Sequence, residues 1–226
     1  MNWICHYASS SIGRKQIVAK TGLMLCGFLL VHLAGNFLLF VGSDAFNTYA
    51  YTITKNKPIL YFAELILFSI FATHIFLALR LTYENRKARG VGYEVNAQAG
   101  EMTIATKTMP YTGVWTLIFL ILHLWNFKYG GAVKVPLEIG GEQVMALDLY
   151  TLVAEHFARP FWSIYYIVSM ALLAAHVHHG LQSALQTYGV NHPKWNGIIK
   201  LVANFYAALI FLGFSSFPVY FLICRG

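Results

Sequence analysis

Six of the nine histidines in this chain lie inside long apolar stretches, where an imidazole side chain could bind a metal ion. They are His32, His74, His123, His176, His178 and His179. Strongly polar groups at bilayer depth are costly and usually mark a function. Neutral imidazole is a common metal ligand. The depth of each histidine along its predicted helix therefore indicates which of them could share a ligand.

Two of these histidines are predicted to lie at one depth on different helices. At a helical rise of about 1.5 Å per residue, His32 is roughly 18 Å from Lys20, which marks the inner edge of its helix. By the same rise, His123 is roughly 20 Å from Pro110, which marks another inner edge. In a hydrocarbon core of about 30 Å, this pair lies roughly 10 Å below the outer boundary.

A second pair is predicted to lie closer to the inner side. His74 is roughly 25 Å from Lys57, at the outer edge of its helix. His176 is also roughly 25 Å from an outer edge, marked by Arg159. The two pairs are therefore stacked, with roughly 15 Å between them.

Two imidazoles that face each other at one depth suit a haem iron, which has two axial positions. Zinc takes three or four ligands that converge on one point, which two separated pairs do not provide. The cysteines, Cys5, Cys26 and Cys224, form no CxxC or CxxCH motif, so a haem would be held by coordination and packing. A single membrane histidine is more often a packing residue that hydrogen-bonds to a neighbouring helix. Four histidines at two matched depths favour two haems.

The fourth apolar stretch offers more than one possible ligand. At 3.6 residues per turn, His178 is roughly 200° around the helix from His176, whereas His179 is roughly 60° away. His176 and His179 can thus face the same group, and spacing does not separate them. The remaining histidines lie outside the apolar stretches and are predicted to be solvated loop residues: His6, His156 and His192.

The composition predicts an all-α integral membrane protein. Of the 226 residues, 58% are apolar and 11% are charged, which is too little polar surface for a soluble protein. Five stretches are long enough to cross a membrane, which takes about 20 helical residues: 18–41, 59–82, 111–128, 161–185 and 198–222. We expect a single transmembrane domain over residues 1–226, with no soluble domain, no internal repeat and no removable signal peptide.

The basic residues predict the orientation. With five spans the two termini lie on opposite sides, and the side richer in Lys and Arg is cytoplasmic. The N-terminal side carries ten of the 16 basic residues: Arg14, Lys15, Lys20, Arg80, Arg86, Lys87, Arg89, Lys107, Lys194 and Lys200. The opposite side carries six: Lys55, Lys57, Lys128, Lys134, Arg159 and Arg225. The N-terminus is therefore predicted to be cytoplasmic.

Glycines in two of the spans have two possible roles. They are Gly22, Gly27 and Gly35 in the first span and Gly113 in the third. A glycine leaves room for a porphyrin, or it lets two helices approach closely, which is common in membranes. The sequence does not decide between these roles.

Several segments together resemble the cytochrome b558 membrane-anchor subunit of succinate dehydrogenase and fumarate reductase. They are SIGRKQIVAKTGL (11–23), HLAGN (32–36), HVHHGLQS (176–183) and QTYGVNHPK (186–194). Five spans and connections of similar length extend the resemblance over essentially the whole chain.

The resemblance implies a four-helix bundle that holds two b-type haems, with the fifth helix beside it. His32 and His123 would bind the distal haem, and His74 and His176 the proximal one. In the family pattern the ligand lies four residues before the glycine that corresponds to Gly180, which favours His176 over His179. The implied partners are a flavoprotein subunit and an iron–sulphur subunit on the cytoplasmic face of a bacterial-type membrane. The implied substrate is membrane quinone, menaquinone in the dihaem members.

The chain departs from some dihaem fumarate reductases at two places. They carry a glutamate, thought to conduct protons, two residues before the fourth-span ligand, where this chain has Ala174. They also carry an acidic quinone-site residue before the second span, where this chain has Asn47 and Thr48, with Asp44 the nearest carboxylate. The resemblance therefore does not identify the quinone-binding residues of this chain, and Ala174 offers no proton route at the position of that glutamate.

Polar residues near each predicted haem are candidates for binding quinone or the haem propionates. Quinone reduction needs a proton donor beside the carbonyl oxygens. The quinone candidates are Asn36, Asp44 and Tyr49, which could equally cap helices or hydrogen-bond in loops. Propionates need cationic or hydroxyl partners. The propionate candidates are Arg14, Lys20, Thr21, Arg80 and Ser183, and the basic ones among them could equally be topology signals.

Two other classes of protein remain open. A b-type cytochrome anchor of a hydrogenase or formate dehydrogenase would share the haems and bind a different partner. A transporter or structural membrane protein would hold no cofactor. As the anchor of a succinate:quinone oxidoreductase, the chain would be a quinone-reactive electron-transfer subunit with no dicarboxylate site of its own.

Overall fold

The computed structural model describes residues 3–88 and 104–225, and most of them are helical. The helices are α1 (Trp3–Ser9), α2 (Ser11–Asn36), α3 (Ser43–Thr54), α4 (Lys57–Ala88), α5 (Ile104–His123), α6 (Leu149–Phe157), α7 (Pro160–Thr187) and α8 (Pro193–Arg225). A 3-10 turn (Phe37–Phe40) extends α2, and a π-helical turn (Leu124–Lys128) extends α5. Two antiparallel strands, β1 (Lys134–Ile139) and β2 (Glu142–Leu147), precede α6.

Five helices are long and apolar enough to cross a membrane. With their extensions they cover Ser11–Phe40, Lys57–Lys87, Thr108–Lys128, Pro160–Thr187 and Pro193–Cys224. Each overlaps one predicted span, which confirms the prediction of five apolar helices of membrane-crossing length. Large apolar side chains such as Val31, Phe68 and Phe205 are exposed on them. Apolar surface of this extent suits contact with lipid, so the chain is a membrane protein.

Local sequence determines where several helices begin. Ser10 caps α2, because its Oγ accepts a hydrogen bond from the Gly13 N–H at 2.9 Å. Asp148 caps α6 in the same way, through the Thr151 N–H at 3.1 Å. α7 begins at Pro160, a position where the missing N–H of proline has no partner to lose.

Contacts between the spans centre on α2 and α7, and α4 and α5 are separated. α2 packs along α4 and α7, α5 packs along α7, and α8 packs mainly along α7 and touches α2. Within the described part of the chain, α4 and α5 share no extended contact. The main apolar core lies among α6, α7 and α8, around residues such as Phe157, Tyr166 and Phe221.

The connections at the end of the bundle away from α1 are folded. β1 and β2 form a hairpin whose two-residue turn is Gly140-Gly141, with φ of 62° and 85°. Glycine suits this turn because both central residues need positive φ. The side chain of Asn47 on α3 donates to Asp148 Oδ1 at 2.9 Å and accepts from the Tyr150 N–H at 3.0 Å. Asn47 is only 3% exposed, so it joins the two outer connections in the protein interior.

The first and third spans are related by an internal repeat. Each contains a Thr-Gly pair with a histidine 11 residues after the threonine: Thr21 and His32 in α2, and Thr112 and His123 in α5. Each span is then followed by a short amphipathic helix, α3 or α6, that buries one face.

The repeat continues into the second and fourth spans. α3 is separated from α4 by two residues, and α6 is separated from α7 by two residues. A proline then precedes a histidine by 16 residues in both spans: Pro58 and His74 in α4, and Pro160 and His176 in α7. These equal spacings indicate an internal repeat, which was not predicted from the sequence.

Candidate functional site

His74 on α4 is held by two oxygen atoms of α2. Its Nδ1 lies 3.1 Å from Thr21 Oγ1 and 3.2 Å from the carbonyl oxygen of Val18. The Thr21 hydroxyl donates to backbone carbonyls of its own helix, at 2.8 Å to Ile17 and 3.0 Å to Val18. Both oxygens that face His74 are therefore acceptors, which requires the proton on Nδ1. The lone pair of Nε2 is then available for a metal.

His176 on α7 has the corresponding contacts with α5. Its Nδ1 lies 3.2 Å from Thr112 Oγ1, and the ring also hydrogen-bonds to the backbone of Met109. The Thr112 hydroxyl donates to the Met109 carbonyl at 3.0 Å. The same reasoning places the proton of His176 on Nδ1 and leaves Nε2 free. His74 on α4 and His176 on α7 are therefore held in the same way, each by a threonine of the preceding span.

Two glycines make room for these two imidazole rings. A Cβ atom at Gly22 would lie 3.2 Å from His74 Cε1, and one at Gly113 would lie 3.2 Å from His176 Cε1. Any side chain at either position would crowd the ring. At Gly22 and Gly113 the absence of a side chain therefore lets a histidine of the neighbouring helix approach closely, whereas nothing would touch a Cβ at Gly27.

The outer pair, His32 and His123, has a different environment. Their ring centroids are 5.8 Å apart, and the ring planes are nearly perpendicular at 88°. Aromatic rings surround them: Phe28 and Phe214 contact His32, and Phe119 contacts His123. Nδ1 of His123 is buried without a hydrogen-bond partner.

The separation of His32 and His123 fits the two axial positions of a haem group. Two imidazoles that bind one iron from opposite sides have ring centroids about 6 Å apart, given metal–nitrogen bonds of about 2 Å. The 5.8 Å separation of His32 and His123 matches this value. Among the residues described, no three His, Cys, Asp or Glu side chains converge as zinc would need.

The other histidines of the fourth span point elsewhere. Nε2 of His178 lies 2.7 Å from Asn204 Oδ1 on α8 and 2.9 Å from the side-chain nitrogen of Gln182. His179 packs against the His178 ring, with centroids 4.7 Å apart. Of the two candidates that spacing left open, His176 is the one that contacts α5.

The structure brings together some of the propionate candidates. Arg14 Nη1 and Arg80 Nε both bind Glu84 Oε1, at 2.9 and 3.0 Å. Nε of Arg14 is buried without a partner, so it could still bind an anion. Thr21 is engaged with His74. Lys20 and Ser183 are exposed and show no contact with this cluster.

The quinone candidates do not form one group. The Asn36 side chain donates to the His32 carbonyl at 2.7 Å. Tyr49 packs on Gly35, where a Cβ would lie 2.5 Å from the tyrosine hydroxyl, so it lies beside the end of α2. Asp44 is exposed in the first turn of α3, where it accepts from Ser43 Oγ at 3.4 Å. Only Asn36 and Tyr49 are therefore near the outer histidine pair.

The structure corrects the prediction that His156 is a solvated loop residue. His156 lies in α6, and its ring packs against Phe127 and Trp162 with centroids 5.0 and 4.7 Å away. Its Nε2 accepts a hydrogen bond from the Asn126 side chain at 3.2 Å, and the same amide donates to the Tyr166 hydroxyl. His6 and His192 are exposed, as predicted, although His6 lies in α1.

His156 should make stability depend on pH. Burial, and then the nearby Arg159 charge, lower the pKa of His156 from 6.5 to about 4. Between these values the unfolded chain binds the proton and the folded chain does not. The contribution of neutral His156 to the free energy of unfolding is therefore fully present above about pH 6.5. It decreases as the pH falls towards 4. We expect His156→Phe, which keeps a packed ring, to flatten the unfolding temperature measured across this range. The exposed His192→Phe serves as the control, and equal slopes in wild type and His156→Phe would contradict the assignment.

The structure also contains an ion pair that residue spacing in the sequence did not predict. Lys128, at the end of the π-helical turn after His123, contacts the carboxylate of Glu64 on α4. π-helical turns inside α-helices are often found at functional sites. The pair links α4 to α5 near the outer histidines, and no pattern in the sequence relates the two residues.

The chain was compared with known proteins by sequence and by structure. No family model matches it, and neither curated proteins nor solved structures show a significant match.

Proposed function

We propose that this chain is the dihaem cytochrome b anchor of a succinate:quinone oxidoreductase, which passes electrons between an iron–sulphur subunit and membrane quinone. The observation that supports this most strongly is the arrangement of four histidines as two facing pairs on four spans. His32 and His123 have the spacing of axial ligands to one iron. His74 and His176 would form the second pair, because each is held in the same way by a threonine of the preceding span.

In this proposal His32 and His123 would hold the outer haem, and His74 and His176 would hold the inner one. A haem with two histidine ligands supplies one-electron transfer. Thr21 and Thr112 keep the proton of each inner imidazole on Nδ1, so that Nε2 would be the atom available to bind iron.

Charged and apolar residues of the chain would fix the haem edges and exclude water. Arg14 and Arg80 lie together at the inner end of the bundle and are the best placed cations for the inner propionates. Phe28, Phe119 and Phe214 surround the outer histidines with apolar surface. A dry environment of this kind strengthens the effect of nearby charges on a bound group.

The outer end of the bundle is the best supported location for quinone. Reduction of a quinone to a quinol takes up two electrons and two protons, so hydrogen-bonding groups are needed near the outer haem. Asn36 hydrogen-bonds to the His32 carbonyl, and Tyr49 packs on Gly35, three residues after His32. The His156–Asn126 pair lies close to His123. Menaquinone is proposed from the family resemblance.

The N-terminal side is proposed to face the cytoplasm and to bind the iron–sulphur and flavoprotein subunits. The excess of basic residues on this side supports the orientation. The described inner ends of α4 and α8 carry several of these residues, including Arg86, Lys87, Lys194 and Lys200. A bacterial-type inner membrane is the corresponding location.

Purification of the native complex, with a reduced-minus-oxidised spectrum and identification of its subunits, tests the proposal. We expect a b-type spectrum, two haems per chain, and copurifying flavoprotein and iron–sulphur subunits. The same spectrum with hydrogenase or formate dehydrogenase subunits would favour an anchor of another complex. A purified chain without a b-type spectrum would contradict the cytochrome assignment altogether.

A further inference from the structure

The two inner histidines are held by contacts that occur twice in the molecule. In each case three groups of one span face a histidine of the following span. They are a backbone carbonyl, a threonine hydroxyl three residues later, and the glycine that follows the threonine. Val18, Thr21 and Gly22 face His74 in the first copy. The second copy, on α5 and α7, consists of Met109, Thr112 and Gly113 around His176.

The distances in the two copies agree closely. The Nδ1–Oγ1 distances are 3.1 Å for His74 and 3.2 Å for His176. A Cβ atom at either glycine would lie 3.2 Å from the Cε1 atom of the ring. Helix packing alone does not require a hydroxyl at both positions, because valine has almost the same shape as threonine. The hydroxyl oxygens therefore contribute something that shape does not.

The outer histidines lack this arrangement, although the repeat includes them. Asn36 follows His32 by four residues and hydrogen-bonds back to it. Asn126 follows His123 by three residues, within the π-helical turn, and binds His156 instead. Nδ1 of His123 has no partner. The threonine contacts therefore distinguish the inner pair from the outer pair.

We infer that Thr21 and Thr112 are positioning residues that hold His74 and His176 with the proton on Nδ1, and that they thereby lower the reduction potential of the haem bound between them. The inference rests on the proposed function. A hydrogen bond from Nδ1–H to an oxygen increases the basicity of the opposite nitrogen. A more basic ligand stabilises the oxidised iron more than the reduced iron. Because both residues act on one pair, their loss should affect one haem only.

The test is a redox titration of the purified native complex that carries Thr21→Val or Thr112→Val, followed by its optical spectrum. We expect either variant to raise the potential of one of the two components. The expected change is up to about tenfold in the reduction equilibrium, which is about 59 mV for one electron. The effect is partial because the Val18 or Met109 carbonyl still accepts from the ring. The affected component should be the one that His74→Ala removes.

Two controls separate the hydroxyl contact from general packing. Thr116→Val removes a hydroxyl on α5 that bonds only to the Thr112 carbonyl among the contacts described, at 2.8 Å, and should change neither component. Thr21→Ser and Thr112→Ser keep the oxygen and should retain most of the wild-type potential. If one valine variant does not assemble, the other decides, since both should shift the same component.

The possible outcomes are distinct. Potentials that are unchanged in an assembled valine variant, a shift of the outer component, or serine variants that shift as far as valine would each overturn the role of the hydroxyls. A wild-type complex without a b-type spectrum would instead refute the proposed function.

Discussion

Replacing His74 with alanine is expected to remove about half of the b-type absorbance of the purified complex and to leave the other half. His74 provides one of the two proposed ligands of the inner haem, and its Nδ1 contacts belong to α2 alone. His32 and His123 lie at another depth and have separate aromatic neighbours, so their haem should remain. Haem content per chain and the reduced-minus-oxidised spectrum measure the effect.

A histidine on the same span as His176 serves as the matched control. His178 is half-buried and hydrogen-bonds to Asn204 and Gln182, away from the inner pair. His178→Ala should therefore keep both spectral components. A full haem complement in His74→Ala, or a loss of haem in His178→Ala equal to that in His74→Ala, would be incompatible with the assigned pairs.

Replacing Glu84 with alanine should destabilise the protein by about 3 kcal/mol, because it leaves a buried guanidinium without its carboxylate. Arg14 is only 9% exposed, and Glu84 is its ion-pair partner at 2.9 Å. For a chain of this size the unfolding temperature should fall by about 10 °C. Tryptophan fluorescence of the detergent-solubilised protein during heating measures this change.

The partner arginine on α4 provides the control. Arg80 binds the same carboxylate oxygen, but its side chain is 50% exposed, and the pair is a local one along the helix. Arg80→Ala should therefore change stability by only about 0.5 kcal/mol. Equal losses in Glu84→Ala and Arg80→Ala would mean that the burial of Arg14 does not determine the stability of the cluster.

The helical spans and the level of each histidine could be predicted because both depend on distances along one helix. Length and apolarity identify a span, and a constant rise per residue converts sequence position into depth. The repeat was also readable from the sequence. Its signal is the equal spacing from Thr21 to His32 and from Thr112 to His123. The repeat is difficult to recognise because the two copies share few other residues.

The partners of individual side chains could not be predicted in the same way. Thr21 has the polarity and location expected of a propionate ligand, yet its hydroxyl faces His74, 53 residues away. His156 lies in a polar connection, and it becomes half-buried because α6 folds back onto α8 and the end of α5. Which surface of one helix meets another depends on packing over the whole bundle.

The sequence by itself determined that this chain has five apolar helices and that four of its histidines lie at two levels, because helix formation and hydrophobic length are local properties. Only the tertiary structure decided which oxygen atoms hold His74 and His176, which charges surround Arg14, and that Asn47 joins connections 101 residues apart. These contacts depend on the rotation and the neighbours of each helix, which are set by side-chain packing between segments that are distant in the chain.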